Sequence, residues 1–454
     1  MKFTDRQKEL DLFRRTLSKP RRTFVVIYGR RRLGKSTLIK KVLKEDDVYF
    51  MADQTEAANQ RRLFASTVSV QYPGFDEVEY PSWESLLRAY NVRCNEGQTL
   101  CIDEFPYLVK SDASLPSVIQ KLLDTRTMRF NLILCGSSQQ MMYDAAINEG
   151  APLYGRADEI FRIGPIPAKY MPEALPLNAK QAVEEYAVWG GVPRYWELRE
   201  EEDSLFDAIE HLCVSQYGIL YDEVAHILRD DMRDLVQAST LLSVMGNGAN
   251  KMSEIAARVN KDASSLTGPI KKLQKMQLIA REVPFGENPK DSKRSLYHLS
   301  DSFMQFYYRF VVPYRSFIEL GRTEMIMNII HSQWTSFVGN MWERLCRQSV
   351  SGCILDGVTY GIASRWWGGV SKTESIELDV IAESLDKKNL LIGECKWTSA
   401  EDALRLEVAL KAKAEKLPFF HKYHSVKYVL FLREQPTVTP SCQVFLPEDV
   451  LGMM

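Results

Sequence analysis

The segment TFVVIYGRRRLGKSTLIKKVLKE, residues 23–45, limits the fold more than any other stretch of this chain. A β-branched run, Thr23 to Tyr28, leads into Gly29, Arg30, Arg31, Arg32, Leu33, Gly34, Lys35, Ser36 and Thr37, and then into a segment with the look of a helix. The loop satisfies G-x-x-x-x-G-K-[ST] between the strand and the helix that this pattern requires. Backbone N–H groups of such a loop surround phosphate oxygens, and the helix N-terminus adds partial positive charge. Lys35 is placed to bridge the outer phosphates and Ser36 to ligate Mg²⁺. The expected ligand is a nucleoside triphosphate, ATP, with its Mg²⁺. Arg30 to Arg32 read equally as a solvated basic run or as extra positive charge beside polyphosphate.

Such a loop needs a second acidic group for its metal, and TLCIDEFPYL, Thr99 to Leu108, ends another apolar strand with Asp103 and Glu104. The first carboxylate is expected to hold Mg²⁺ through water, and the second to polarise the attacking water, which separates a hydrolase from a binder. A small-molecule kinase would not need Glu104. A third strand, Phe130 to Ser138, ends in Ser137 and Ser138, where a hydroxyl can sense the γ-phosphate; Gly-Ser also simply ends strands.

At ~150 residues per domain, 454 residues correspond to roughly three domains. The formal net charge of -1 gives no global nucleic-acid signal, so any basic surface is local. Eight cysteines lie far apart without a C-x-x-C pair, which argues against a disulfide framework or a zinc site and for reduced thiols. MKFTDRQKEL has no apolar core of a signal peptide, and no uninterrupted apolar run approaches the ~18 residues of a membrane span. A soluble, cytoplasmic protein without a membrane partner is expected.

These motifs resemble the archaeal-type ATPases of the AAA+/STAND superfamily, prokaryotic proteins with a distinctive C-terminal domain. FTDRQKEL is similar to that family's F-x-x-R-x-x-E-L helix near the nucleotide base, with Arg6 and Glu9 at matching positions. PLYGR, Pro152 to Arg156, resembles the arginine-bearing segment, which makes Arg156 the implied γ-phosphate sensor or finger. WGGVPRYW, Trp189 to Trp196, resembles the G-x-P motif of the helical lid, with Gly191 and Pro193 matching. A loop arginine is also commonly solvated, and Gly-Gly-x-Pro is commonly only a helix break.

From Asp234 to Leu299 the pattern changes to a helix, a short helix, a third helix ending in LTGPIKKLQKMQLI, and two strands, AREVPF and SLYHL. That order suggests a winged helix. GENPKDSKR would be the wing, with Lys290, Lys293 and Arg294 facing phosphates, while Lys271, Lys272 and Lys275 decorate the third helix. DNA is the expected partner; docking of a protein partner through the same module, or self-association, is the alternative. Pro269 lies inside the third helix, which should therefore start near Thr267 or bend. In Ser300 to Phe317, Phe303, Phe306, Tyr307, Phe310, Tyr314 and Phe317 recur at intervals of three and four, the pattern of a buried stripe on a core helix.

IELDVIAES and NLLIGECKW read as a hairpin around LDKK. If the turn centres on Asp386 and Lys387, residues whose numbers sum to 773 face each other, as Asp379 and Glu394 do. Lys396 then shares the face of Glu394. Two carboxylates sharing a site call for a cation, so Asp379 and Glu394 form a candidate Mg²⁺ or Mn²⁺ site with Lys396 orienting or deprotonating a water. Upstream, SFVGNMWERLCRQSV offers Glu343 as a third carboxylate. This order resembles the PD-(D/E)XK nuclease core, and RWWGG before the hairpin resembles the C-terminal domain of the archaeal-type ATPases. E-x-K alone is common in strands, and His421 and His424 have too few companions for a metal site.

The expected fold is α/β and multidomain: an AAA+-like P-loop NTPase core (1–170), a helical lid (171–232), a winged helix-turn-helix (233–300), a helical connector (301–335) and a restriction-endonuclease-like α/β domain (336–454). The expected function is an ATP-hydrolysing switch in which Arg156 and Pro193 report the nucleotide and the C-terminal modules bind, and in the fuller form cut, DNA. The alternative is an ATP-switched regulator or scaffold with an inactive nuclease-like domain.

Overall fold

Strands buried on both faces should be apolar throughout, and the first sheet is built from such runs. In the computed structural model, which describes residues 4–231, 234–399 and 402–454, β1 (Phe24–Tyr28), β2 (Val48–Met51), β3 (Thr99–Asp103), β4 (Asn131–Gly136) and β5 (Glu159–Arg162) form a parallel sheet in the order β2-β3-β4-β1-β5. All of β3 and β4 is buried. Phe24, Val26, Leu100, Ile102, Leu132 and Leu134 face a core that also takes in Phe64, Trp83 and Tyr90 from flanking helices. Because β4 lies between β1 and β3, the loops that follow all three strands open at one sheet edge, where α/β folds place their ligands.

The chain divides into two units, one built on Asp5–Pro165 and the other on Ile166–Ala225 and Asp234–Met454. The expected boundary between lid and winged helix, at 232 and 233, lies outside the described residues, as does Phe3 of the N-terminal motif.

In the second unit, the helix Ala179–Trp189 starts at a capping box of Asn178 and Gln181 and ends at Gly190, whose φ of 55° suits glycine. Gly191 is required by a close approach: a Cβ there would lie 2.0 Å from the Ile166 carbonyl oxygen. Trp196 donates its indole N–H to the Gly190 carbonyl at 2.6 Å, and Arg199 and Trp189 share the buried Glu185 at 2.8 and 2.7 Å.

Three helices follow, Leu235–Gly246, Met252–Arg258 and Ala263–Lys275, then the antiparallel pair β6 (Ile279–Glu282) and β7 (Leu296–Leu299), with Lys251 bridged to Leu296. The third helix does not begin near Thr267. It starts at Ala263 and runs through Pro269, held by its buried face of Leu266, Ile270 and Leu273 at the loss of one hydrogen bond to the Ser265 carbonyl.

The aromatic segment is not one helix. An α-turn, Ser302–Phe306, passes into a π-turn, Tyr307–Val311, and a 3₁₀ turn, Val312–Tyr314. Phe303, Phe306, Tyr307 and Phe310 are buried as the spacing predicts, but the register shift of the π-turn leaves Phe317 44% exposed.

A single helix, Thr323–Val350, runs through the position of the expected 335/336 boundary. After the short pair β8 (Ile354–Leu355) and β9 (Val358–Thr359), a second sheet forms in the order β10 (Ser364–Gly369), β11 (Ser375–Glu383), β12 (Asn389–Lys396), β13 (Ser425–Leu432), β14 (Gln443–Phe445). The first two pairings are antiparallel and the last two parallel. Val380 faces Gly393, Ile381 faces Ile392 and Glu383 faces Leu390, the register expected from the turn. Among the described residues no helix is long and apolar enough to cross a membrane.

Candidate functional site

The phosphate loop is shaped by its glycines. A Cβ at Gly29 would lie 2.3 Å from the Ile163 carbonyl oxygen, and Gly34 has a φ of 84°. Leu33 is buried beneath the loop and Thr37 is exposed, while Arg30 and Arg32 are half-buried and Arg31 exposed. The Lys35 ammonium donates to the carbonyls of Gly29 at 2.7 Å and Arg30 at 3.0 Å, which holds it inside the curve of the loop.

Ser36 Oγ donates to Asp103 Oδ2 at 2.7 Å, so the two residues expected to hold Mg²⁺ meet at the ends of neighbouring loops. Burial works to raise the Asp103 pKa. Hydrogen bonds from the Cys135 thiol, the Tyr49 and Ser36 hydroxyls and the Glu104 backbone outweigh burial and hold it below the usual carboxylate range. An ionised carboxylate beside a hydroxyl offers the oxygen ligands that a nucleotide-bound Mg²⁺ takes, and the loop's N–H groups serve the phosphates, so the residues fit the ion. Glu104 sits at φ 53°, and its Oε2 accepts from Ser137 N at 3.2 Å and Ser137 Oγ at 2.9 Å. Ser138 instead caps the short helix Gln139–Met142. Tyr49 and Cys135 were not foreseen; each lies in an apolar strand where nothing marks it as an acid's partner.

Arg6 bonds the Gly164 carbonyl and, at 3.1 Å, Glu9, so the N-terminal motif is anchored beside Ile163, the residue against which Gly29 packs. Arg156 is elsewhere. It precedes β5 at the end of the sheet where Asp158 meets Phe24, opposite the phosphate loop, and pairs with Asp124 at 2.7 and 2.9 Å. Within its own chain it is not brought to the phosphate loop. Pro193 is the first residue of the helix Pro193–Glu200 in the second unit, where its motif serves the packing of Gly191 and Trp196.

The second constellation lies on β11, β12 and the long helix. Asp379 Oδ2 accepts from the Cys395 backbone N–H at 2.8 Å. Burial, and after it the charges of Glu343 and Glu394, push the Asp379 pKa up to about 7. Glu394 is buried and accepts from Lys396 at 2.9 Å and from Lys413 at 3.0 and 3.2 Å; Lys413, on the helix Ala403–Glu415, had no sequence signal. Burial lowers the Lys396 pKa, but Glu394 and Asp379 more than offset it, so the ammonium is held in its charged form and is better suited to orient a water than to deprotonate one. Arg347 links the Glu343 carboxylate, at 3.6 Å, to the Asp379 carbonyl, at 2.8 Å. Among the described residues no three acidic, histidine or cysteine side chains converge as ready metal ligands, and this includes His421 and His424.

The loop between β6 and β7 does not stand free. Phe285 N donates to the Arg365 carbonyl at 2.9 Å. Arg294 pairs with Glu287, donates to the Trp367 carbonyl at 3.0 Å and lies over the Trp366 ring. RWWGG therefore receives this loop, while Lys290 and Lys293 remain exposed. Arg294→Ala should speed amide exchange across residues 283–295 by about fivefold, the loss of ~1 kcal/mol of stacking and hydrogen bonding. Unchanged exchange would show that Arg294 does not hold the loop.

Residues 3–197 match the ATPase domain family found predominantly in Archaea, and residues 307–408 match a family of archaeal and bacterial proteins of unknown function. An uncharacterized protein of Methanocaldococcus jannaschii is 26% identical over 437 residues, covering 93% of this chain and 95% of its own. The Walker-type ATPase of Pyrococcus abyssi is similar in fold, with a TM-score of 0.53 at 17% identity over 67% of this chain and 96% of that one. The Orc2 protein of Aeropyrum pernix is more remote, at a TM-score of 0.41 and 14% identity over 72% and 95% of the two chains. The loop, the ionised Asp103 and the match over residues 3–197 agree: the chain is an ATPase, similar over those residues to the ATPase domain family found predominantly in Archaea.

Proposed function

We propose that this ATPase is a nucleotide-controlled switch for a DNA-acting C-terminal half. In this reading 1–170 is the ATPase core, 171–232 a lid carrying Pro193, 233–300 a winged helix, 301–335 a connector and 336–454 a PD-(D/E)XK-type nuclease domain. One observation carries the reading: the Asp379 carboxylate, which accepts from the Cys395 N–H, feels the charges of Glu343 and Glu394, while Lys396 donates to Glu394. Mutually repelling buried carboxylates are what a divalent-cation site is made of. Asp379 and Glu394 would hold Mg²⁺ or Mn²⁺, Glu394 releasing a lysine to do so. Such an ion supplies a water nucleophile at neutral pH. Lys396 keeps its proton and orients the groups around it. Lys290 and Lys293 on the exposed loop, with Lys271 and Lys275 on the third helix, offer a basic face for duplex phosphates.

The rival, a switched scaffold that binds without cutting, draws support from the two lysines that occupy Glu394. The purified chain is expected to cut DNA with Mg²⁺ or Mn²⁺ and not with EDTA. If duplex, single-stranded and branched DNA stay intact with every cation and nucleotide while duplex binding persists, the scaffold replaces the nuclease.

A further inference from the structure

A cavity of about 150 Å³ lies in the second unit between the three-helix module and the long helix Thr323–Val350. Its wall carries four guanidiniums, Arg309, Arg344, Arg347 and Arg365, against two carboxylates, Glu282 and Glu343. The two carboxylates are already engaged. Glu343 pairs with Arg347 at 3.6 Å, and Glu282 with Arg365 at 3.7 Å; Arg365 also pairs with Glu377. Arg309 donates to the neutral Gln333 amide, at 3.1 and 3.2 Å, and lies over the Phe310 ring; Arg344 donates to the Ser300 carbonyl, at 2.9 Å, and feels the charges of Asp301 and Glu282. Two donors on this wall, Arg344 Nη1 and Arg365 Nε, are buried without a hydrogen-bond partner among the described residues.

Buried N–H donors without an acceptor are costly, so two such guanidinium donors on a wall carrying four arginines favour an anion there. Burial pulls the Arg309 and Arg344 guanidiniums down from their ordinary range, and His298, on the same wall, is driven to about 3 by burial together with Arg344, Arg347 and Arg365.

We propose that this cavity is a phosphate site, which takes the dianion of inorganic phosphate or of a phosphomonoester on Arg344 and Arg309, with Arg365 Nε as a further donor. The guanidinium fork matches a tetrahedral oxyanion. The volume is that of a cavity which accepts a benzene-sized guest at ~150 Å³, enough for one phosphate and too small for a nucleoside. The site does not depend on the nuclease reading, because neither Arg309 nor Arg344 touches Asp379 or Glu394.

The phosphate group has two sources, a free small molecule or the end of a nucleic-acid strand, and one experiment separates them. The full chain is used with Lys35→Ala, which removes phosphate binding at the nucleotide loop. Inorganic phosphate is expected to raise its unfolding midpoint and to bind by calorimetry with Kd below ~1 mM, where chloride at matched ionic strength does neither. Adding Arg344→Gln should weaken phosphate by about tenfold or more. Arg309→Gln serves as the second variant if Arg344→Gln fails to fold. A 5′-phosphorylated oligonucleotide that binds better than its 5′-hydroxyl form, with the advantage lost in the variant, identifies the strand end; equal binding of the two, with phosphate still bound, identifies a free phosphate. The proposal is overturned if phosphate neither binds nor stabilises Lys35→Ala, or if it binds both arginine variants as tightly as their parent.

Discussion

Glu104→Gln is expected to bind ATP as the wild type does and to hydrolyse it ~10²-fold or more slowly. The glutamine keeps the length of the side chain and its contact with Ser137, but an amide cannot draw a proton from water. Glu104 is held in the left-handed backbone region at φ 53°, a conformation costly for a residue with a side chain, directly after Asp103. The strain aims its carboxylate at the end of β4, where Ser137 fixes it by two hydrogen bonds. Lys35→Ala acts one step earlier. Its ammonium sits inside the phosphate loop, so its loss should abolish nucleotide binding and turnover together. Nucleotide binding measured beside single-turnover hydrolysis separates the two effects, and equal hydrolysis by Glu104→Gln and the wild type would remove Glu104 from its role.

The parts of the molecule legible in the sequence are those whose chemistry is local. Gly29 to Thr37 carries its own strand and helix, so both the phosphate loop and the apolar strands around it follow from a few neighbouring residues. The hairpin register was legible for a similar reason. Asp386 and Lys387 lie in the turn, and the strand pairing then follows, with Val380 facing Gly393 and Glu383 facing Leu390.

What was not legible depends on contacts between distant segments. Arg156 lies at the far edge because β5 pairs with β1 and begins opposite the phosphate loop, a fact of strand order that no neighbouring residue encodes. Gly191 answers to the Ile166 backbone, where the resemblance implied the G-x-P motif of a lid, and Arg294 to RWWGG, where the sequence suggested a phosphate contact. The aromatic stripe failed at its end because a π-turn changes the helical period within five residues. The arginine cavity escaped notice because its charges come from Arg309 on the π-turn, Arg344 and Arg347 on the long helix, and Arg365 on β10, each an ordinary surface charge when read in sequence.

Asp379→Asn is expected to abolish DNA cleavage and, in the same protein, to raise stability at alkaline pH. The folded chain holds this carboxyl up to about 7, above the ordinary aspartate value of ~4 that applies when it is unfolded. A carboxyl raised in this way binds its proton more tightly when folded, so ionisation weakens the fold as pH rises from ~4 through 7, and below ~4 the effect vanishes. Asparagine keeps an oxygen for the Cys395 N–H and carries no charge against Glu343 and Glu394. At pH 8 in EDTA the variant should therefore be more stable by on the order of 2 kcal/mol, less than the full linkage because attraction to Lys396 is also lost. At pH 4 the two proteins should unfold alike. Chemical denaturation at both pH values, read beside a cleavage assay, checks the pair of effects. A variant that loses cleavage and gains stability identifies Asp379 as a carboxylate kept for function at the expense of the fold. A variant that is less stable at pH 8 would mean that the neighbouring lysines already neutralise the site, and that Asp379 is part of an ion-pair network and not a metal-seeking acid.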